Sequence, residues 1–197
     1  MASRPLGSRA RLLLGLWVRG YEHLPDLIAS TVVVAGNRAA SAQVTDRARA
    51  FAGADTETGH AVAATLAYGV DAAVHQAAEL MRGRTLAVLP RGLDRAYPHT
   101  HAPLLHSITH NGGASVSLFR PCTEASGARL QATAGLLAAL SHAVILIEAM
   151  ARTEALRTAE AAIALNRTLL ALPADGSLRS EGLALPCPDP ARALELL

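Results

Sequence analysis

Short β-branched runs alternate with longer helical windows along most of this chain, and that alternation limits what it can fold into. "STVVVAG" at residues 30 to 36 is an apolar run closed by Gly, the pattern of a strand buried on both faces. "SAQVTDRARAFA" follows, with Ser41 as N-cap and Val44, Ala48 and Phe51 on one helical face. "HAVAATLA" reads as a second strand. "GVDAAVHQAAELMRG" then places Val70, Val74, Ala77, Ala78 and Met81 at helical spacing and ends in Arg82 and Gly83. "TLAVLP" is a third buried strand, and "HAPLLHSITHNGG" a helix with Pro103 near its first turn. "ASVSLF", "AVILIEA" and "TLLALP" continue as strands, separated by the helical "LQATAGLLAALS" and "RTEALRTAEAAIALN".

Strands spaced by such helices predict an α/β fold: a mostly parallel sheet with helices on both faces, a Rossmann-like three-layer α/β/α architecture. The 197 residues suit one domain, and 51% hydrophobic against 17% charged side chains supply a real core and exclude disorder. We expect a lead-in segment over 1–29, the Rossmann-like domain over 30–175 and a tail over 176–197. "LLLGLWV" near the N-terminus follows Arg4, Arg9 and Arg11 but is cut off by Arg19 and lacks a cleavage site. It reads as a strand or packed segment, and no run is long enough to span a membrane. The proline-spaced tail "CPDPARALELL" starts extended and is then either a packed helix or a frayed end. Two cysteines, Cys122 and Cys187, form no disulfide framework or zinc motif, which fits a reducing cytoplasm.

In an open parallel sheet, ligands bind outside the carboxyl ends of the strands. The loops there carry Gly36, Asn37 and Arg38, then Tyr68, Gly69 and Asp71, then Arg91, Gly92, Asp94 and Arg95. Gly permits close backbone approach, helix N-termini attract anions, and Arg binds phosphate bidentately. All 18 basic Lys and Arg residues are Arg, so phosphate contacts fall to guanidinium forks, amides and histidines. The net charge of +2 permits a polyanion partner without requiring one. Asp71 and Asp94 read better as loop-ordering acceptors than as a catalytic pair. His75 reads equally as a core or rim histidine or a ligand contact, and Tyr97 before Pro98 as a turn anchor able to stack. His99, His101, His106 and His110 cluster, but no acidic or Cys partner accompanies them. A polar helix face is the preferred reading and a metal site is not expected. No cofactor is expected.

The stretches "STVVVAGNRAAS", "LAYGVDAAVH", "GRTLAVLPRGLDRAYP" and "AVILIEAMARTEALRTA" resemble the DNA-processing protein A family, DprA or Smf, in order and near spacing from about residue 14 to about 180. Gly36 and Arg38 match the family's first-loop Gly and Arg, with Asn37 where Ser is usual. Gly69, Asp71 and His75 match the second motif. Gly92, Asp94, Tyr97 and Pro98 match Gly-Leu-Asp-x-x-Tyr-Pro, and Glu148, Ala149, Leu156, Thr158 and Ala159 the fourth. The resemblance implies a non-catalytic cytoplasmic domain that binds single-stranded DNA, forms a homodimer and loads a RecA-type recombinase in recombination or transformation. It implies a DNA-binding set of Gly36, Asn37, Arg38, Gly69, Asp71, His75, Arg91, Gly92, Asp94, Arg95, Tyr97 and Arg129.

The departures define a divergent member. Leu130 stands where members have Phe, and Thr133, Ala134 and Gly135 replace an Arg-Asn-Arg triplet, removing two guanidinium groups. Thr153, Glu154 and Ala155 replace Ser-Gly-Ser, and Ala64 and Thr65 a Ser-Gly pair. The chain stops at Leu197, where many members continue into a winged-helix appendage, so a member without one is expected. Fewer neutralised phosphates mean weaker binding. Two alternatives therefore stand beside the DNA-binding reading. One is a nucleotide-binding or nucleotide-hydrolysing relative of the lysine-decarboxylase-like group, although no Pro-Gly-Gly-x-Gly-Thr loop is present. The other is a scaffold that has lost DNA affinity.

Overall fold

The computed structural model describes residues 15–21, 23–150, 153–172 and 182–197. Eight strands form one sheet in the order β1-β5-β4-β3-β2-β6-β7-β8. β2 (Thr31–Ala35) is central, flanked by β3 (Ala61–Ala64) and β6 (Ala143–Leu146), both parallel to it. β4 (Thr85–Val88) and β5 (Ala114–Ser117) extend one wing, and β7 (Thr168–Ala171) and β8 (Leu185–Pro186) the other. Only β1 (Trp17–Gly20) runs antiparallel, pairing with β5 at the edge. The chain thus fills the wing beyond β3 first and then crosses back to β6, which puts the topological switch between β2 and β6.

Among the described residues the helices are α1 (Leu24–Ala29), α2 (Ala42–Glu57), α3 (Val70–Leu80), α4 (Ala102–His110), α5 (Gly127–Ala139), α6 (Glu154–Ala164) and α7 (Pro190–Leu196). Alternate residues of β2 feed two separate cores, as a strand buried on both faces must. Val33 and Ala35 pack with Leu136 and Leu137 of α5 and Ala155 and Ala159 of α6. Val32 and Val34 pack with Phe51 of α2, Val74 of α3 and Ala193 of α7. The expected three-layer α/β/α architecture is therefore present.

Most boundaries follow their local signals. Ser41 caps α2 by accepting the Val44 amide at 3.3 Å, and Asp189 caps α7 by accepting the Arg192 amide at 2.9 Å. The tail ends in a packed helix. Residues 12–14 of the N-terminal apolar run lie outside the described residues, and its last two join the sheet in β1. "HAVAATLA" is a strand only as far as Ala64, because Thr65 turns the chain and commits its hydroxyl to Asp71. The helix expected from Leu130 begins three residues earlier, where Ser126 accepts the Arg129 amide at 3.4 Å.

Candidate nucleic-acid interface

The loops after β2, β3, β4 and β6 converge at the switch point on a cleft of about 80 Å³. Gly36, Arg38, Thr65, Asp71, Tyr97 and Glu154 line it, over an apolar floor that includes Ala35, Pro90, Leu130 and Leu137. Two glycines let these loops close on one another. A Cβ on Gly36 would lie 2.5 Å from Val70 Cγ2. Gly69 has φ of +75° and sits so near the first loop that a Cβ would meet the Asn37 and Arg38 carbonyl oxygens at 2.5 Å.

Asn37 locks the first loop to the segment after β6. Its Nδ2 donates to Glu148 Oε2 at 2.8 Å, and its Oδ1 accepts the Met150 amide at 3.0 Å. With only 3% of its surface exposed, Asn37 works as a clamp. Arg38, next in sequence, is exposed, and its guanidinium lies 5.2 Å from the centre of the Tyr68 ring. Tyr68 is held in place by its hydroxyl, 2.5 Å from Thr100 Oγ1, and by an edge contact with His101, ring centres 4.7 Å apart. The pair forms a cationic and aromatic platform at the cleft mouth.

Beneath the cleft runs a buried polar chain. Thr65 donates its hydroxyl to Asp71, and the Thr65 carbonyl is 2.7 Å from His75 Nε2. His75 Nδ1 is 2.7 Å from Thr85 Oγ1, which itself donates to the Val62 carbonyl at 3.0 Å. Loss of solvent raises the Asp71 carboxyl to about 6, against the lowering effect of Thr65, with the Glu154 charge adding to the rise. Burial likewise lowers His75 to about 4, so it is neutral at physiological pH. Glu154 lies in the first turn of α6, where Thr153 caps by accepting the Leu156 amide at 3.4 Å. It supplies a negative charge that this helix N-terminus favours.

The expected site residues separate into two groups. Gly36, Arg38, Asp71 and Tyr97 line the cleft. Asp94 and Arg95 are exposed on the loop after β4; the Asp94 carboxylate accepts the Cys122 amide at 2.8 Å, which holds its pKa below the usual carboxylate range. This is the loop-ordering role expected of it. Asp71 instead accepts from a side-chain hydroxyl. His75 is completely buried, which fits the core reading of the two left open for it, and it supports the loops under the cleft. Arg91 is only 7% exposed and pairs with Glu124 at 3.0 Å. Gly92 is buried, since a Cβ there would meet the Arg120 carbonyl oxygen at 2.5 Å. Arg129 donates to the Glu124 carbonyl and lies 5.7 Å from the Phe119 ring centre, away from the cleft lining.

His101 Nδ1 is 2.8 Å from the Leu66 carbonyl oxygen, and the His106 and His110 rings stack at 3.8 Å on α4. Among the described residues no three His, Cys, Asp or Glu side chains form a group that could hold a metal ion. The sequence reading names Tyr68 among the strand-end residues but leaves it out of the DNA-binding set, although an aromatic beside Gly69 at a strand end is the signal that places it there. It took Thr65 and Glu154 only as departures from a motif.

A crossover at β2, a cleft at the strand ends and an arginine beside an aromatic define a Rossmann-like protein with a cationic and aromatic rim at its switch point. Residues 10–192 match the model of the DNA recombination-mediator protein A family, and the chain belongs to that family. It is 36% identical over 171 residues to a putative DNA processing protein DprA of Mycobacterium tuberculosis, covering 85% of this chain and 44% of the relative. It is 33% identical over 168 residues to protein Smf of Escherichia coli, with the same coverage of 85% and 44%. The chain thus spans a little under half the length of these curated relatives. Among solved structures, DNA processing protein A of Streptococcus pneumoniae superposes with a TM-score of 0.84 at 28% identity, over 91% of this chain and 65% of that one. DNA processing protein A of Helicobacter pylori, whose single-stranded DNA binding mode is known, shares the fold with a TM-score of 0.83 at 21% identity, over 92% and 85%.

Proposed function

We propose that this domain binds single-stranded DNA across the carboxyl ends of its strands and acts as a recombination mediator. The observation that carries this reading is the Arg38 and Tyr68 platform at the cleft mouth, in a chain of this family. A guanidinium neutralises a phosphate while a neighbouring aromatic offers a face to a base, the combination that strand binding uses. Gly36, Asn37 and Gly69 shape the rim, and Tyr97 and Asp71 wall it. The cleft volume of about 80 Å³ also favours a strand lying over the surface. An enclosed nucleotide calls for a pocket of about 300 Å³ or more.

The reading extends, on the family resemblance, to a cytoplasmic homodimer that delivers a RecA-type recombinase to the bound strand, with no catalytic step of its own. Among the described residues no helix is long and apolar enough to cross a membrane. The test is binding to labelled oligo-dT and to the matching duplex across a salt series. Preference for the single strand, weakening as salt rises, is the expected result. No binding at low salt overturns the reading and leaves the scaffold alternative.

A further inference from the structure

A second cavity, of about 240 Å³, lies on the other side of the loop that follows β4. Its lining includes Arg19, Asp94, Arg95, His99, Leu105 and His106. Separate stretches build it. Arg19 comes from edge strand β1, where pairing opposite Ser115 of β5 fixes its place. Arg95 comes from the loop, His99 from a short 3₁₀ turn (His99–His101) and His106 from α4. All four basic side chains are exposed.

Among the described residues no hydrogen bond or ion pair engages the guanidinium groups of Arg19 and Arg95 or the ring of His99. Two guanidinium groups brought to one cavity without a shared partner repel each other, and an oxyanion between them removes that cost. Asp94 is the carboxylate in the lining; one of its oxygens accepts the Cys122 amide, and its charge, which the nearby Arg95 favours, offsets one of the two guanidinium charges. The lining therefore keeps a surplus of positive charge. The apolar cleft, by contrast, sets Arg38 against Asp71 and Glu154.

One loop walls both cavities: Pro90 and Tyr97 face the cleft, while Asp94 and Arg95 face the second cavity. Arg95 and Tyr97 are two residues apart, so about 7 Å of chain at most separates their Cα atoms. We propose that the second cavity is a phosphate subsite, and that it holds the backbone of a single strand passing from the cleft over Tyr97. The inference rests on the strand-binding reading above. It assigns the cleft mouth to stacking and one phosphate, and the cavity beside β1 to the phosphates that follow.

The test compares labelled oligo-dT at the two ends of the usual site-size range, about 4 and about 16 nucleotides. Arg38→Ala weakens both oligomers. Arg19→Ala and Arg95→Ala leave the short one unchanged, weaken the long one by about three- to tenfold each, and lower its salt slope by about 0.7 per lost phosphate. Thermal midpoints equal to wild type verify that these surface variants fold. Equal losses at both lengths, or no loss at the longer length, overturn the subsite while the strand-binding reading stands. A wild-type chain that binds neither oligomer overturns that reading and the strand path together. Titration of inorganic phosphate against the His99 and His106 imidazole signals separates the sources. A saturable shift lost in Arg95→Ala, without any length-dependent effect on DNA, makes free phosphate the ligand and overturns the strand.

Discussion

Two loops of this protein have nearly the same composition and opposite fates. Gly36-Asn37-Arg38 and Arg91-Gly92 to Arg95 both follow a buried strand, and both pair glycine with arginine. In the first, the polar clamp is Asn37 and the arginine beside it is exposed over Tyr68. In the second, Arg91 is itself the buried residue, tied to Glu124, and Arg95 four positions later is the exposed one. Charge at a strand end is therefore not by itself a binding signal. Arg38 and Arg91 both stand three residues past the end of their strands, so the partner decides: Glu124 takes Arg91 into the fold, whereas the Asn37 clamp leaves Arg38 in solvent.

The largest expected effect is on the buried side of this contrast. Arg91→Ala removes a packed stem and its charged hydrogen bond, and lowers unfolding free energy by about 2 to 3 kcal/mol in urea titrations. Single-strand affinity of the folded variant stays at the wild-type level. If affinity falls and stability does not, the two loops play the same role and the contrast is broken.

The buried chain under the cleft predicts two opposed pH effects, because Asp71, raised to about 6, gains stability as pH falls through the window in which His75 loses it. His75 has its folded pKa lowered to about 4, so the unfolded chain takes up this proton first as pH falls. Stability is thereby lost as pH drops from the ordinary histidine value of about 6.5 toward 4, by at most about 3 kcal/mol from this group. An imidazole NMR titration checks the assignment, with the His75 signal neutral until near pH 4. A His75 signal that titrates like a free imidazole places it on the rim.

Arg38→Ala acts on the exposed side. It weakens single-strand binding by about tenfold, as loss of a charged contact and a stacking partner does, and leaves the thermal midpoint unchanged. A smaller gain is expected from Gly135→Arg. Leu130, Ala134 and Leu137 share one face of α5, and Leu130 and Leu137 line the cleft, so this helix flanks the bound strand. A Cβ at Gly135 meets nothing within 4 Å. Gly135 sits at least about 100° round the helix from that face. Only the length of an arginine side chain therefore brings a guanidinium from there toward the strand, raising affinity by about threefold or less and steepening the salt slope slightly. The substitution also stabilises the helix by up to about 1 kcal/mol. Unchanged affinity shows that α5 lies off the strand path.

The layered sheet was legible because buried parallel strands leave continuous apolar runs. "STVVVAG" and "AVILIEA" admit few other readings, and the caps at Ser41 and Asp189 lie where the sequence has Ser and Asp ahead of helical windows. The cleft was legible only as a set of loops. Asn37 and Arg91 belong to those loops and His75 to α3, yet three long-range bonds from Asn37 and Arg91 reach residues more than 30 positions away, which no local pattern encodes. The Arg38 and Tyr68 pair is likewise a tertiary contact, made when Gly69 brings the second loop against the first. The cavity beside β1 joins residues as far apart as Arg19 and His106, and only the antiparallel edge strand brings them together.

The most direct test measures the salt dependence of oligo-dT binding for wild type, Arg38→Ala and Arg91→Ala in parallel. Wild type and Arg91→Ala should share one slope of log affinity against log salt, and Arg38→Ala should be shallower by about 0.7. A slope lost in Arg91→Ala and kept in Arg38→Ala would contradict the account, because the buried arginine would then be the one that meets the strand.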